Sequence, residues 1–435
     1  MLQCKNYTFK IDRKLVGLRK CNTLGREFRS GYACPEVAKS WRFKMSKQYL
    51  WKILGLGVVA AASLSYSSVA SAKTLGFVVT GWHHSGTFTP DNKVECPQGL
   101  GSDGRANFKA QFKTKEEQEA QIKKYAGFEM RARGPNGEID TYSPELVEDP
   151  IPFPEGQGKI SYGFNLDGTK DGRATDRTCK HSKFTSPDGE TGIDNQYYRS
   201  MACITGMRPH GDADAMANSQ LLTKMVNRLV FEVTGVDDEK NDESVDVTIA
   251  HGLDKVSQGP SGVFIPNLSQ RMDEKASAYI FHVKAKIVNG VLISDEMPNL
   301  DIAQYPGPGD WGIRAFMNAR IKINLKDGDH PTAVLAGYHD VERLYRYWAK
   351  TNGIHSITAT ASGPSLYRSM HRNADGYKDP KTGKCTAISA SYDYQLVKAF
   401  IIRETPEEKE ISDNAPSSAN ADVQVASAKS PLEVK

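Results

Sequence analysis

Apolar and polar positions alternate with period two over long stretches of the second half of the chain. Ile313, Ala315, Met317, Ala319, Ile321, Ile323 and Leu325 stand against Arg314, Asn318, Arg320, Lys322, Asn324 and Lys326. That spacing predicts a long strand with the first set facing a core and the second facing water. Tyr279, Phe281, Val283, Ala285 and Ile287 alternate with His282, Lys284 and Lys286, and Asn289-Gly290 follows before Val291. Asn-Gly at that point signals a type I′ hairpin. Further strands are predicted over 75–80, 229–234, 245–250, 334–338 and 388–402, the last with a bend inside. Strand pairs joined by short turns predict a mainly β fold, an antiparallel β-sandwich of jelly-roll or lectin-like kind.

Helical spacing is rare. Asp340 is placed to cap a helix carrying Val341, Leu344, Tyr345 and Trp348 on one face, a second helix is predicted over 364–374, and Thr114 with Glu117 forms a capping-box pattern that opens a third, running to about Tyr125. These few helices are expected to be peripheral, at the edges or ends of the sandwich. Between about 127 and 216 Gly, Pro, Asp, Asn and Ser dominate, yet aromatic residues and two cysteines persist, which predicts a long ordered loop region. From Glu404 polar and small residues replace the apolar ones, so 404–435 is expected to be a disordered tail. The folded body is then one β-rich domain over 73–403, without internal repeats.

The N-terminal segment changes the compartment. Met45-Ser-Lys47 and Lys52 precede an apolar run over 53–62 and a small-residue stretch ending Ala70-Ser71-Ala72, the layout of a secretory signal peptide over 45–72. Residues 1–44 then form an upstream extension outside the mature protein. The rival layout, a cytoplasmic arm on a single membrane span, would need a longer apolar run. A cleaved signal leaves no transmembrane anchor and places the protein in the periplasm or outside the cell.

Composition adds little except through this leader. The chain has 435 residues, 39% hydrophobic and 25% charged, with net charge +4. The first 72 residues hold 13 of the 56 Lys and Arg but 3 of the 52 Asp and Glu, so the remainder is acidic at about −6. An acidic mature chain gives no footprint for nucleic acid. Four of the seven cysteines, Cys96, Cys179, Cys203 and Cys385, follow the leader. An even count in an exported chain predicts two disulfides, with three pairings open. Cys179 with Cys203, leaving Cys96 with Cys385, is the favoured one because it would staple the loop-rich segment.

No motif fixes a chemistry. Gly-x-Ser-x-Gly, HExxH and the glycine-rich phosphate loops are absent. The segment around Asp167, Thr169, Asp171 and Gly172 alternates oxygen donors with turn glycines, as a calcium loop does. Its twelfth position is Thr178 rather than a bidentate Glu. Asp188, Asp194 and Asn195 in the next acidic loop could complete the ligand set. The alternative is two turns held by Asx-type hydrogen bonds. His210, Asp212, Asp214 and the pair His83-His84 lack metal-ligand spacing. Tyr197, Tyr198, Tyr305 and Trp311 lie among Gly and Pro and could stack on sugar rings at a sandwich rim, or equally plug the end of the core.

The segments 184–196, 233–238 and 333–342 resemble a group of exported proteobacterial proteins of unknown function. The resemblance would cover most of 73–403 and implies a β-rich domain of the envelope or exterior; it carries no catalytic residue. The resulting expectation is an exported, disulfide-stapled sandwich that binds a ligand such as a glycan at calcium-ordered loops. The alternatives are a glycan-active hydrolase or lyase on the same scaffold, or a structural envelope component.

Overall fold

A computed structural model describes residues 5–11, 14–20, 72–84, 96, 104–125, 131–152, 154–209, 211–223, 228–304, 312–350 and 362–403. Nearly all of the signal segment, the tail, Tyr305 and Trp311 lie outside these residues. The chain divides into two units, Met1–Val69 and Ala70–Lys435. In the first, β1 (Lys5–Ile11) pairs antiparallel with β2 (Lys14–Lys20).

The second unit contains, in order, β3 (Lys73–His84), α1 (Gly104–Ala110), α2 (Lys115–Lys124), β4 (Phe184–Thr185), β5 (Thr191–Ile193), α3 (Tyr197–Met201), α4 (Asp212–Thr223), β6 (Leu229–Val236) and β7 (Asp242–His251). It continues through β8 (Leu268–Arg271), β9 (Phe281–Val288), β10 (Val291–Ser294), β11 (Met297–Gln304), β12 (Gly312–Asn324), β13 (Thr332–Asp340), α5 (Val341–Lys350), α6 (Gly363–Arg372), β14 (Gly376–Lys378) and β15 (Cys385–Ile402).

The predicted sandwich is overturned. The strands run β3-β6-β7-β9-β10-β12-β13-β15 and return to β3, an eight-stranded antiparallel barrel closed where the short β10 pairs with β9 on one side and β12 on the other. Period-two alternation reports one buried face. It does not say whether that face meets a second sheet or the same sheet curled onto itself. The β9–β10 hairpin that makes the closure is the predicted one, with Asn289 and Gly290 at φ 51° and 73°, both positive as a type I′ turn requires.

Inside, Phe231, Val233, Val247, Ile249, Ile287, Leu292, Ile321, Ile323, Leu335 and Leu396 form an apolar lining. The same core continues into Tyr197 and Met201 of α3, Leu221 of α4, Leu344 and Trp348 of α5 and Leu366 of α6. The helices therefore plug the barrel rather than flank a sandwich. Their starts follow the sequence: Arg343 N donates to Asp340 Oδ1 at 2.8 Å, and α6 is capped by Ser362 with Pro364 in its first turn. At α2 both arms of the capping box are made, Thr114 Oγ1 accepting from Glu117 N and Glu117 Oε2 from Thr114 N. This helix buries no residue, so its cap carries much of its stability. Thr114→Ala is expected to cost about 1 kcal/mol of local stability, read as faster hydrogen exchange at the α2 amides with the barrel amides unchanged.

Two bulges set what faces inward at the plugged end. On β12 the register with β13 shifts between Met317 and Arg320, where Asn318 takes φ 52°. Ala319, Ile321 and Ile323 face inward beyond the bulge, but before it the parity is reversed, and Arg314 and Phe316 point inside at 1% exposure each. The expected water-facing position of Arg314 is thus wrong: one inserted residue turns every earlier side chain over. On β3 a second shift, opposite Gln395 and Leu396, brings Trp82 and His84 inward beside Tyr394 and Tyr392. No helix among the described residues is long and apolar enough to cross a membrane.

Candidate functional site

The bulges and the plug together build a layer unlike the rest of the core. Arg314 lies with its guanidinium carbon 4.3 Å from the Trp82 ring centre and 4.6 Å from that of Tyr392. The hydroxyls of Tyr392, Tyr347, Tyr394 and Tyr197 are its electrostatic neighbours. Burial opposes the charged form, but a guanidinium stays protonated even so, and the hydroxyls around it are neutral and bring no counter-charge. Among the described residues no carboxylate pairs with it, and none of its three nitrogens completes a hydrogen bond. A buried cation without a counter-charge is among the costliest arrangements in a protein interior.

The groups around it are already satisfied by one another. Trp348 Nε1 donates to Tyr197 Oη at 2.9 Å and Gln304 Nε2 to Tyr347 Oη at 2.8 Å. His339 lies 2.6 Å from Ala315 O through Nδ1 and 2.8 Å from Tyr392 Oη through Nε2. The carbonyl can only accept, so Nδ1 carries the proton and Nε2 receives the tyrosine hydroxyl. Burial drives His339 down to about 3. It likewise drives His84 well below its ordinary value, with Arg314 adding to the effect. His84 is the second exception to local satisfaction. Neither of its ring nitrogens has a partner among the described residues, and it borders a cavity of about 10 Å³ with Asn195, Tyr197, Met201 and Ser391. That is room for about one water.

A second cluster lies in the loop region, outside this layer. Asp167, His181 and Asp194 bring ligand-type atoms within 4.8 Å of one another. His181 Nε2 is 2.7 Å from Asp194 Oδ1, 3.8 Å from Asp167 Oδ2 and 3.7 Å from Asp375 Oδ2. The Lys183 ammonium bridges Asp167 and Asp194 through their Oδ1 atoms. Asp194 Oδ2 accepts from Leu166 N and Asp167 N, which fixes the loop backbone. Asp375 is fully buried, and burial pushes its carboxyl up to about 7. Its Oδ1 accepts from Ser389 N, while Oδ2 has no partner among the described residues.

The predicted site residues are therefore split. Asp167 and Asp194 meet, but Asp171 is at an exposed turn accepting from Arg173 N, and Asp188 is in the exposed turn closed by Ser186 and Glu190. Asn195 is buried and spent on Ser161 and the Ser391 amide. Asp171 and Asn195 thus make the turn and framework hydrogen bonds that short polar side chains favour. Tyr197 and Tyr198 are 1% and 4% exposed; Tyr197 plugs the core end, Tyr198 packs in a side cluster with Phe184 and Ile193, and neither stands at an open rim. Asp214 pairs with His83 at 2.7 Å. The favoured disulfide pairing is also corrected. Cys96 faces Cys203 and Cys179 faces Cys385, with Cα atoms 5.2 and 6.1 Å apart, because the loop is laid against the turn into β14, where Cys179 N donates to Asp375 O and Thr178 bridges Gly376, rather than folded back on itself.

His339 and Tyr392 went unnoticed in the sequence, as did His181, Lys183 and Asp375, while His84 shows no ligand spacing there and Arg314 reads as water-facing. One signal was present for the second group: His181 and Lys183 alternate two residues after a half-cystine, so both project to one side of an extended segment. The fold and the two clusters define a closed β-barrel with a polar, cationic end layer and a buried carboxylate-rich pocket on its loop region. No family model matches the chain, and no curated protein or solved structure is similar to it.

Proposed function

We propose that the protein is an exported binding protein that takes a small organic carboxylate against Arg314 at the plugged end of its barrel. The single observation that carries this is the buried guanidinium with no counter-charge among the described residues, turned inward by a bulge. A carboxylate supplies both the missing charge and the two parallel acceptors that a guanidinium fork matches. Trp82 and Tyr392 hold the fork flat, and their apolar faces suit the body of the ligand. The cavity beside His84 is too small for such a ligand, so binding requires α3 or α5 to move outward. Two disulfide pairs and the absence of a long apolar helix among the described residues are consistent with export.

A lyase acting on acidic sugars is the second reading, favoured by the His339–Tyr392 hydrogen bond beside Arg314. It is the weaker one, since burial raises Tyr392 far from ionisation and leaves it a poor base. The test is thermal unfolding of oxidised protein with benzoate and glucuronate, set against benzamide and glucose. Carboxylates alone should raise the melting temperature; at a hundred times the dissociation constant the stabilisation is about 2.7 kcal/mol. A rise with glucose equal to that with glucuronate would replace the carboxylate by a neutral glycan, and no rise with either acid sinks the proposal. An unsaturated product from a uronate polymer would turn the binding protein into the lyase.

A further inference from the structure

We infer that the pocket formed by Asp167, His181, Asp194 and Asp375 binds one divalent first-row transition-metal ion. This is independent of the carboxylate proposal. The orientation of His181 is the first reason. Its Nδ1 lies 2.8 Å from the Cys179 carbonyl, which can only accept, so Nδ1 carries a proton and Nε2 is the atom turned toward the three carboxylates. A neutral Nε2 has only a lone pair to offer there, and three carboxylates repel it. The arrangement needs a cation at that point, either a second proton on the ring or a metal. A ring held through Nδ1–H by a backbone carbonyl, with Nε2 presented, is the usual posture of a metal-ligating histidine.

The second reason is Asp375 Oδ2, fully buried, without a hydrogen-bond partner among the described residues and 3.7 Å from the same nitrogen. The Tyr338 hydroxyl, itself buried without a hydrogen-bond partner among the described residues, feels the charges of Asp375, Asp194 and Asp167. The third is charge. With the protons of His181 and Asp375 displaced, three carboxylates against the Lys183 ammonium leave −2, which one divalent ion cancels. One imidazole with three carboxylate oxygens suits manganese, iron or zinc better than calcium, which takes six to eight oxygens. The expected calcium site therefore moves: Asp171, Asp188 and Asn195 drop out, and His181 and Asp375 enter.

The experiment uses the full oxidised protein, stripped with chelator and dialysed. Micromolar Zn²⁺ or Mn²⁺ should raise its melting temperature by several degrees, millimolar Ca²⁺ should not, and Co²⁺ should give a visible absorption band of a nitrogen–oxygen site. Asp375→Asn keeps the bond from Ser389 N and removes the charge, so it should fold and lose the band. Lys183→Met, which removes the competing ammonium, should bind Co²⁺ more tightly. A stabilisation by Ca²⁺ alone, an unchanged Co²⁺ band in Asp375→Asn, or no band in the wild-type protein would each overturn the assignment.

Discussion

Arg314→Met is expected to make the ligand-free protein more stable than the wild type, by about 1–4 kcal/mol, and to abolish its stabilisation by carboxylates. The sign follows from comparing two magnitudes. Stacking of a desolvated guanidinium on Trp82 and Tyr392 contributes about 2 kcal/mol. Removing its charge from water without a counter-ion costs several kcal/mol, and the three nitrogens left without partners add their own desolvation penalty. Methionine fills a similar volume, adapts to the aromatic walls and brings no charge. Arg314→Lys should behave differently, keeping the charge but losing the planar fork, so that it gains no stability and binds carboxylates weakly. Denaturant unfolding with and without benzoate separates the cases. If Arg314→Met were less stable than the wild type in the absence of ligand, the guanidinium would be a structural strut, and the argument for an anion would lose its ground.

How Arg314 came to read as water-facing shows where the reading of the sequence stops. Alternation located β9, β12 and β13, Asn289-Gly290 located the hairpin, and Asp340 and Thr114 located two helix starts, because each depends on neighbours close in the chain. A bulge also occupies one residue, but Asn318 in the middle of β12 looks like any polar position of the outward face. Its conformation is decided by the pairing with β13, a partner not visible locally. The same holds for barrel closure, which rests on three residues of β10 meeting β12. The ion cluster gathers Asp167, His181 and Asp194 from one loop, but Asp375 arrives from beyond α6, in an Asn-Ala-Asp-Gly turn indistinguishable from a surface one. Cysteine pairing failed for the same reason: the loop's partner is β15, a long way along the chain.

Stability of the metal-free protein should peak near pH 6.5 and fall on both sides, with separate groups responsible for each limb. On the acid side the buried histidines act. An unfolded His titrates near 6.5, while burial holds His339 at about 3 and His84 well below its usual value. Between those values the unfolded chain binds protons that the native chain refuses, so stability rises with pH by about 1.4 kcal/mol per unit for each fully shifted histidine. For His339 alone the loss between pH 6.5 and 3 reaches roughly 5 kcal/mol as an upper limit. Asp375 runs the other way. Burial lifts it to about 7 from an unfolded value near 3.8, so the native state holds its proton longer and stability falls as pH rises between the two. For His181 burial opposes the charged form, but the bond to Asp194 and the charge of Asp375 outweigh it and raise the ring. Its contribution is complete below about 6.5 and is lost as pH climbs through the raised value. From pH 4 to 6.5 two histidines thus outweigh one carboxyl and the slope is positive; above 6.5 the histidines are neutral in both states and the pocket sets a negative slope. His339→Gln, which cannot titrate, should reduce the acid limb by about one proton, and Asp375→Asn, which removes the opposing carboxyl, should steepen the acid limb by about one proton and make the other limb shallower. Urea midpoints measured from pH 4 to 9 test this; a flat profile below pH 6.5, or an acid limb unchanged in His339→Gln, would mean that water reaches the end layer and that Arg314 is not desolvated as its surroundings imply.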